Sequence, residues 1–306
     1  MRNRPEPLII RPPSEWRSML IRSTRGCNWN RCKFCGIYTA LGEPEYSIRP
    51  VEDVKQDIDW FAGNMRGLTT AFIGDADPLS RPFEESVEII KYLRDQIPAL
   101  KRVTIYARSS TIFKLGEEKL CLLREAGLDR IHTGLETGSA ELLKFHKKGQ
   151  SPKLLLRTGL WIKKAGLELS YYVLLGLGGI DRWKEHIDAT AAILNQTDPD
   201  FIRLRRLWIY RGDIGLPNIE SPLWHDIKNG SFKPQTPEGT VLELQRLIER
   251  LNGIHSTVVC DHSNNYFQVR GTLPDDRERM LHEINTFLHL PEKTRNLHYE
   301  MIGSEI

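Results

Sequence analysis

Apolar and polar positions alternate along this chain with two different spacings. Short runs rich in β-branched and apolar residues are each followed by a stretch in which apolar residues recur at helical spacing. The predicted strands cover residues 18–23, 69–75, 102–108, 129–135, 167–176 and 200–207, and the predicted helices lie within 50–65, 82–97, 116–127, 151–166 and 181–196. This repeated order predicts a parallel sheet with right-handed crossovers, either an α/β barrel or a doubly wound sheet.

The alternation stops after residue 207. Residues from about 208 to 236 are rich in Pro and Gly and are predicted to form an irregular connection. A helix at about 237–252, a short apolar run at 256–260 and a last helix at about 275–289 follow. We therefore expect two domains: residues 1–207, a βα core with an N-terminal lead-in, and residues 208–306, an extension that closes one side of the core.

Composition narrows the function classes. The 306 residues are 40% apolar, enough to bury a large core. Lys and Arg number 43 against 40 Asp and Glu, and a net charge of +3 gives no electrostatic footprint for nucleic acid. The sequence has no apolar run approaching the ~18 residues of a membrane span, and its N-terminal apolar run is too short for a signal peptide. We expect a soluble cytoplasmic protein with no nucleic-acid or membrane partner.

Three of the five cysteines lie within nine residues, in the spacing C-x4-C-x2-C. Cys27, Cys32 and Cys35 directly follow the first predicted strand, and sites collect at the carboxyl ends of parallel strands. Three interpretations are open: a structural zinc site, an iron-sulfur cluster, or thiols without a ligand. Structural zinc needs a fourth protein ligand such as Cys121 or His132. A 4Fe-4S cluster on three thiolates keeps one iron open for a substrate or cofactor.

Two cysteines remain outside this loop. Cys121 and Cys260 are isolated, and we expect them to behave as small buried apolar residues. They cannot supply a second full cluster. The run around His146 is predicted to be the solvated end of a helix, where cations favour the helix dipole.

Seven segments give the chain a family resemblance. They are "CNWNRCKFCGIY" (27–38), "AFIGDADPL" (71–79), "YARSS" (106–110), "GLETGSAELLKFHKKG" (134–149), "LLGLGG" (174–179), "FIRLRRL" (201–207) and "DHSNNYFQVRGTLPDDRERML" (261–281). Together they resemble the radical S-adenosylmethionine (SAM) superfamily, in particular a group described as coproporphyrinogen-oxidase-like iron-sulfur oxidoreductases. The usual family signature is C-x3-C-x-φ-C with an aromatic residue at φ, and this chain has one extra residue between its first two cysteines.

The resemblance implies a fold and a set of cofactors. The fold is a partial (βα)6 TIM-like barrel with a C-terminal α-rich extension. Cys27, Cys32 and Cys35 hold a 4Fe-4S cluster, SAM is the second cofactor, and Phe34 lies against its adenine. A reducing partner such as flavodoxin or ferredoxin is implied as well.

The same resemblance suggests SAM contacts at the strand ends. The candidate residues are Gly74, Asp75 and Asp77 after the second strand, Ser109 after the third with Arg108 beside it, Glu136 and Ser139 after the fourth, Arg157 on the next helix, Gly176 and Gly178 after the fifth, and Arg205 on the sixth. Other roles remain open for several of them. The aspartates and serines are also typical of turns and helix caps. Arg157 is also typical of a solvated helix face. Arg205 is typical either of a charged edge strand or of an anion site that binds SAM or an acidic substrate.

The implied activity is that of an iron-sulfur oxidoreductase. Reductive cleavage of SAM yields a 5'-deoxyadenosyl radical, which abstracts hydrogen from an unidentified small-molecule substrate. Porphyrin decarboxylation and RNA modification are alternatives within the family, and a zinc-stabilised α/β binding protein without a cluster is the alternative outside it.

Overall fold

The computed structural model describes residues 4–7, 10–65, 67–211 and 220–304. Within them the strands are Met19–Arg22 (β1), Thr24–Arg25 (β2), Ser47–Ile48 (β3), Thr70–Gly74 (β4), Arg102–Tyr106 (β5), Arg130–Glu136 (β6), Glu168–Leu175 (β7), Phe201–Arg206 (β8), Thr257–Cys260 (β9) and Val269–Thr272 (β10). The helices are Ile37–Ala40 (α1), Val51–Asn64 (α2), Phe83–Gln96 (α3), Ser109–Glu125 (α4), Ala140–Phe145 (α5), Pro152–Lys164 (α6), Gly179–Thr197 (α7), Pro222–Lys228 (α8), Pro237–Arg250 (α9), Arg277–Leu288 (α10) and Glu292–Ser304 (α11).

The predicted α/β class is confirmed. All six predicted strands are present, each within two residues of its predicted ends, as β1, β4, β5, β6, β7 and β8. The main sheet has the order β1-β4-β5-β6-β7-β8-β9-β10, and every register found for it is parallel except that of the last pair. Because this order has two ends, the described sheet is open and is not a closed barrel.

The chain divides into two compact units, each built from several segments. The first comprises Met1–Asn30, Ile37–Thr133 and Arg157–Leu169. In it β4 pairs in parallel with both β1 and β5, so that Arg22 lies opposite Gly74 and Phe72 opposite Thr104. These strands are almost wholly buried, as is usual for parallel strands covered by helices.

The second unit comprises Arg31–Gly36, Gly134–Leu156 and Ser170–Ile306. In it β8 pairs in parallel with β7 and β9, with Leu175 opposite Arg206. The strand β10 runs antiparallel to β9 and buries only alternate residues. The Thr236 hydroxyl accepts the N–H of Gly239 at 2.9 Å and caps the start of α9.

Three elements after residue 207 were not predicted. The predicted irregular connection contains α8, and β10 and α11 follow where neither a strand nor a helix was expected. Part of that connection, residues 212–219, lies outside the described residues. The strand β10 has only four residues, among them Gly271 and the exposed Arg270, which gives it almost no strand signal. The two-domain division at residue 208 stays a prediction.

Within the described ranges, no helix combines the length and the apolar character that a bilayer crossing requires.

Candidate functional site

The cysteine loop begins in the first unit, directly after β2. Gly26 has a φ of +69°, and a Cβ there would lie 2.3 Å from the carbonyl oxygen of Glu45, so the tight entry to the loop requires glycine. Cys27 follows, half-buried, and its Sγ accepts the backbone N–H of Asn30 at 3.4 Å.

The other two cysteines belong to the second unit. The N–H of Cys35 donates to the carbonyl of Cys32 at 3.1 Å, and the intervening Lys33 donates its N–H to the carbonyl of His146 at 2.9 Å. The Lys33 ammonium forms a 2.8 Å ion pair with Asp226 of α8. The loop is therefore held both by the segment after α5 and by a helix that the sequence pattern did not predict.

Aromatic rings pack against this part of the loop. Phe34 meets the His146 ring edge-on, with 5.7 Å between ring centroids. A Cβ on Gly36 would lie 3.1 Å from the Tyr210 ring, so that ring packs directly against the backbone. Burial, with the charge of Cys35 adding to it, raises the pKa of Tyr210 to about 12. The phenol is therefore neutral at physiological pH.

The donor set fits an iron-sulfur cluster. Cys27, Cys32 and Cys35 are half-buried and belong to no disulfide, and soft thiolates are the ligands that such clusters take. Among the described residues, no group of three His, Cys, Asp or Glu side chains is gathered as a site for a single metal ion. Cys260 is buried as expected, and burial raises the pKa of its thiol to about 12, whereas Cys121 is exposed on α4, contrary to our expectation.

Asp77, a predicted SAM contact, anchors the cysteine loop in the first unit. Its buried carboxylate accepts Asn28 Nδ2 at 2.7 Å, the Arg108 N–H at 3.0 Å and the Thr111 hydroxyl at 2.5 Å. Burial raises the pKa of Asp77 and the three donors lower it, with burial the stronger effect. Because Asn28 directly follows Cys27, this carboxylate links the loop to the start of α4.

Asp75 and Gly74, two further candidates, are also buried. The Asp75 carboxylate accepts Arg22 Nε at 2.9 Å, and Arg22 also contacts the carboxylate of Glu43. Gly74 ends β4, and its carbonyl accepts the N–H of Ser23 at 2.7 Å. The side chain of Asp75 therefore supports the end of β1.

The strand β5 ends close to Asp77. Ser109 is the first residue of α4, is buried, and lies 3.3 Å from the Thr133 hydroxyl. The guanidinium of Arg108 lies 4.8 Å from the centroid of the Trp29 ring, a second contact with the cysteine loop. Arg157, by contrast, is exposed on α6 beside the Phe113 ring.

In the second unit, β6 ends with an ion pair that the sequence did not reveal. Glu136 has a φ of +60° and accepts Lys148 Nζ at 2.7 Å, with both side chains largely buried. The Ser139 hydroxyl accepts the N–H of Leu142 at 3.2 Å, which confirms its predicted role as a helix cap, and donates to Glu185. Both predicted SAM residues therefore already have protein partners.

Two buried histidines support this turn. His186 Nε2 donates to the carbonyl of Leu174 at 3.0 Å, so its Nδ1 accepts the Thr137 hydroxyl at 2.8 Å. His146 Nε2 donates to the carbonyl of Leu177 at 2.8 Å. Burial lowers the pKa of both rings to about 4. The prediction of a solvated helix end around His146 was wrong, because its ring fills an apolar gap among aromatic side chains.

The last candidates follow β7 and β8. Gly176 donates its N–H to the buried carboxylate of Glu243 at 2.6 Å, and Gly178 packs closely against Arg182 and His186 of α7. Arg205 is half-buried and lies 5.7 Å from the Tyr172 ring. SAM contact by any of these residues stays a prediction.

Comparisons with known proteins agree with the fold. Residues 21–190 match the family model described as "Radical SAM superfamily". The chain is 22% identical over 199 residues to the "Uncharacterized methyltransferase PH0819" of Pyrococcus horikoshii, covering 62% of this chain and 41% of that protein.

Solved structures show the same fold. The radical SAM enzyme coproporphyrinogen III oxidase (HemN) from Escherichia coli matches with a TM-score of 0.58 and 16% identity, over 76% of this chain and 52% of that one. Methylornithine synthase (PylB) matches with a TM-score of 0.52 and 16% identity, over 93% of this chain and 85% of that one. The chain thus spans about half or less of the length of the Pyrococcus protein and of HemN.

The family match covers more than half of the chain, and it includes the cysteine loop and every candidate residue except Arg205 of β8. The resemblance seen in the sequence is confirmed. This chain belongs to the radical SAM superfamily, whose members are enzymes that use a 4Fe-4S cluster and S-adenosylmethionine.

Proposed function

We propose that this chain holds a 4Fe-4S cluster on Cys27, Cys32 and Cys35, cleaves SAM reductively and removes a hydrogen atom from a small organic substrate. The bound cluster and SAM together supply the hydrogen-abstracting radical. Flavodoxin or ferredoxin is the proposed electron donor. The protein positions the cofactors, limits access of water and holds the substrate.

The main support for this proposal is the set of hydrogen bonds that hold the cysteine loop in place. In the first unit, Asn28 binds Asp77, just beyond the carboxyl end of β4. In the second, Lys33 binds the carbonyl of His146, just beyond the helix that follows β6. Asp77 lies just past the carboxyl end of a parallel strand, where α/β enzymes place their reacting groups. The three half-buried cysteines, none of them in a disulfide, therefore lie on a backbone that these hydrogen bonds hold in place.

Two buried carboxylates at the strand ends are each paired with a cation. Asp75 is neutralised by Arg22, Glu136 by Lys148, and the phenol of Tyr210 remains uncharged. A site with compensated charges and little water strengthens the electrostatic interactions of a bound cofactor.

The test is anaerobic reconstitution with iron and sulfide, followed by reaction with SAM and dithionite. We expect bound iron and acid-labile sulfide in equal amounts, and 5'-deoxyadenosine with methionine as products. S-adenosylhomocysteine is measured in the same samples, because it would report methyl transfer instead. Stoichiometric zinc with no SAM cleavage would refute the proposal.

A matched set of variants localises the cluster. Cys27→Ser, Cys32→Ser and Cys35→Ser should each abolish 5'-deoxyadenosine formation and lose most of the bound iron, since serine is a poor ligand for this cluster. Cys121→Ser makes the same change at an exposed position on α4 and should retain both. Equal loss of iron in all four variants would contradict the assignment.

A further inference from the structure

A cavity of about 310 Å³ opens in the second unit at the carboxyl ends of β7 and β8. Its lining is mainly apolar and includes three aromatic side chains and two arginines: Trp208, Trp224, Tyr266, Arg206 and Arg211. No Asp or Glu is among the described residues that line it. The volume suits a small organic molecule, at the lower end of the range for ligand pockets.

Arg206 is the unusual member of this lining. Its side chain is only 9% exposed, and its guanidinium stacks 4.0 Å from the centroid of the Tyr266 ring. The Tyr266 side chain is a hydrogen-bonding partner of this guanidinium, but the Arg206 Nε is buried without one, and no carboxylate among the described residues forms an ion pair with it. Burying a cation without an anion is energetically unfavourable, so such a group normally acquires an anionic partner.

The neighbouring chain holds Arg206 in place. Its backbone N–H donates to Asn265 Oδ1 at 2.7 Å, and Asn265 Nδ2 donates to the carbonyl of Leu204 at 3.0 Å. The next residue, Tyr266, carries the ring that stacks on the guanidinium. The polar segment 261–266 therefore fixes the end of β8 and the orientation of this arginine.

The other two arginines of β8 are used differently. Arg203 donates to the Ser170 hydroxyl at 3.0 Å, and Arg205 lies beside the Tyr172 ring. Neither lines the cavity. Alternation along the strand places them on one face and Arg206 on the other.

We propose that this cavity binds the substrate as a flat, mainly apolar organic acid, with its carboxylate on Arg206 and its ring system among Trp208, Trp224 and Tyr266. A guanidinium matches a carboxylate through paired N–H donors, and stacked aromatic rings favour a planar ligand body. This inference rests on the proposed function in one respect: it assumes that the molecule bound in the cavity is the substrate.

The test uses two probes that differ only in charge, 4-(trifluoromethyl)phenylacetate and its primary amide. Their binding to the reconstituted protein is titrated by ¹⁹F NMR, with and without SAM. We expect the carboxylate to bind at least about tenfold more tightly than the amide, because the arginine forms a charge-assisted hydrogen bond only with the anion. We expect this preference to persist when SAM is present.

Two variants separate a binding role from a structural one. Arg206→Gln should abolish the carboxylate preference and leave amide binding nearly unchanged. Arg203→Gln removes another buried arginine from the same strand and should retain the preference. Circular dichroism melting of both variants verifies that they fold.

The inference would be overturned by equal binding of the two probes, by no detectable carboxylate binding at millimolar concentration, or by equal loss in both variants. Competitive displacement of the carboxylate by SAM would also overturn it, since the arginine would then hold the SAM carboxylate. SAM cleavage is measured separately. Failure of cleavage with the carboxylate preference intact would therefore count against the proposed function and not against the anion site.

Discussion

The backbone N–H of Gly176 donates a 2.6 Å hydrogen bond to the carboxylate of Glu243, a residue of α9 with no exposed surface. Gln235 donates to the other carboxylate oxygen at 2.9 Å. Burial of the carboxylate raises the pKa of Glu243 from 4.5 to about 7, because the two hydrogen-bond donors only partly offset the loss of hydration. A buried acid that titrates near neutrality thus supports the backbone at one edge of the proposed substrate cavity.

This raised pKa predicts a pH dependence of stability. Between pH 4.5 and about 7 the folded protein keeps a proton that the unfolded chain has lost, so the free energy of unfolding falls as pH rises through this window. The predicted loss is about 3 kcal/mol. Urea unfolding of wild type and Glu243→Gln should show the variant gaining stability relative to wild type over the same window.

The control for this titration is Glu249→Gln, an exposed change on the same helix. Its stability relative to wild type should stay constant between pH 4.5 and 7. A constant difference for Glu243→Gln as well would show that Glu243 is ionised throughout.

For His186 we expect the opposite dependence, a free energy of unfolding that rises with pH. Its pKa is lowered to about 4 by burial, so the folded state resists the proton that the unfolded chain takes up below pH 6.5. Stability contributed by the neutral ring is present above pH 6.5 and is lost as the pH falls toward 4.

His186→Gln should lower the free energy of unfolding by about 1–3 kcal/mol at neutral pH, because it disrupts the hydrogen bonds to Thr137 and Leu174. This difference from wild type should shrink on acidification. Urea unfolding across this range measures both effects, and the exposed His282→Gln should change neither.

The strands of this fold could be predicted from sequence because parallel strands are buried on both faces and read as continuous apolar runs. The cysteine loop could be predicted because its three cysteines lie within nine residues of one another. The elements β10 and α8 could not, since four residues containing Gly271 and a seven-residue helix beginning at Pro222 carry too little periodic signal.

The polar contacts of the site were less accessible to prediction. Asp77 could be placed after a strand, but its partner Asn28 is 49 residues away and no local pattern pairs them. His146 lies in a basic run that resembles a solvated helix end. In the fold, the buried His146 ring forms a hydrogen bond with the carbonyl of Leu177, which lies 31 residues further along the chain. Contacts of this kind depend on the assembled fold, whereas periodicity reports only which face of an element is buried.

Asp77 predicts a link between loop geometry and cluster retention. Asp77→Ala leaves the amide of Asn28, the N–H of Arg108 and the hydroxyl of Thr111 without their acceptor. We expect the free energy of unfolding to fall by about 2–4 kcal/mol, and the reconstituted variant to lose its cluster absorbance faster than wild type. Asp95→Ala makes the same change at an exposed position of α3 and should match wild type in both measurements. Wild-type cluster lifetime in Asp77→Ala would show that the loop does not depend on this anchor.

The ion pair between Lys148 and Glu136 predicts strong coupling between the two residues. The side chains are only 11% and 12% exposed, so removing one partner leaves a largely buried charge uncompensated. Lys148→Met should lower the free energy of unfolding by about 3–5 kcal/mol, and Glu136→Gln by a comparable amount. The double variant should be less destabilised than the sum of the single changes, because it leaves no unpaired charge. Urea unfolding of the four proteins at neutral pH measures this coupling. Additive effects would mean that solvent already screens the pair, and Lys148 would then contribute to the turn after β6 through packing alone.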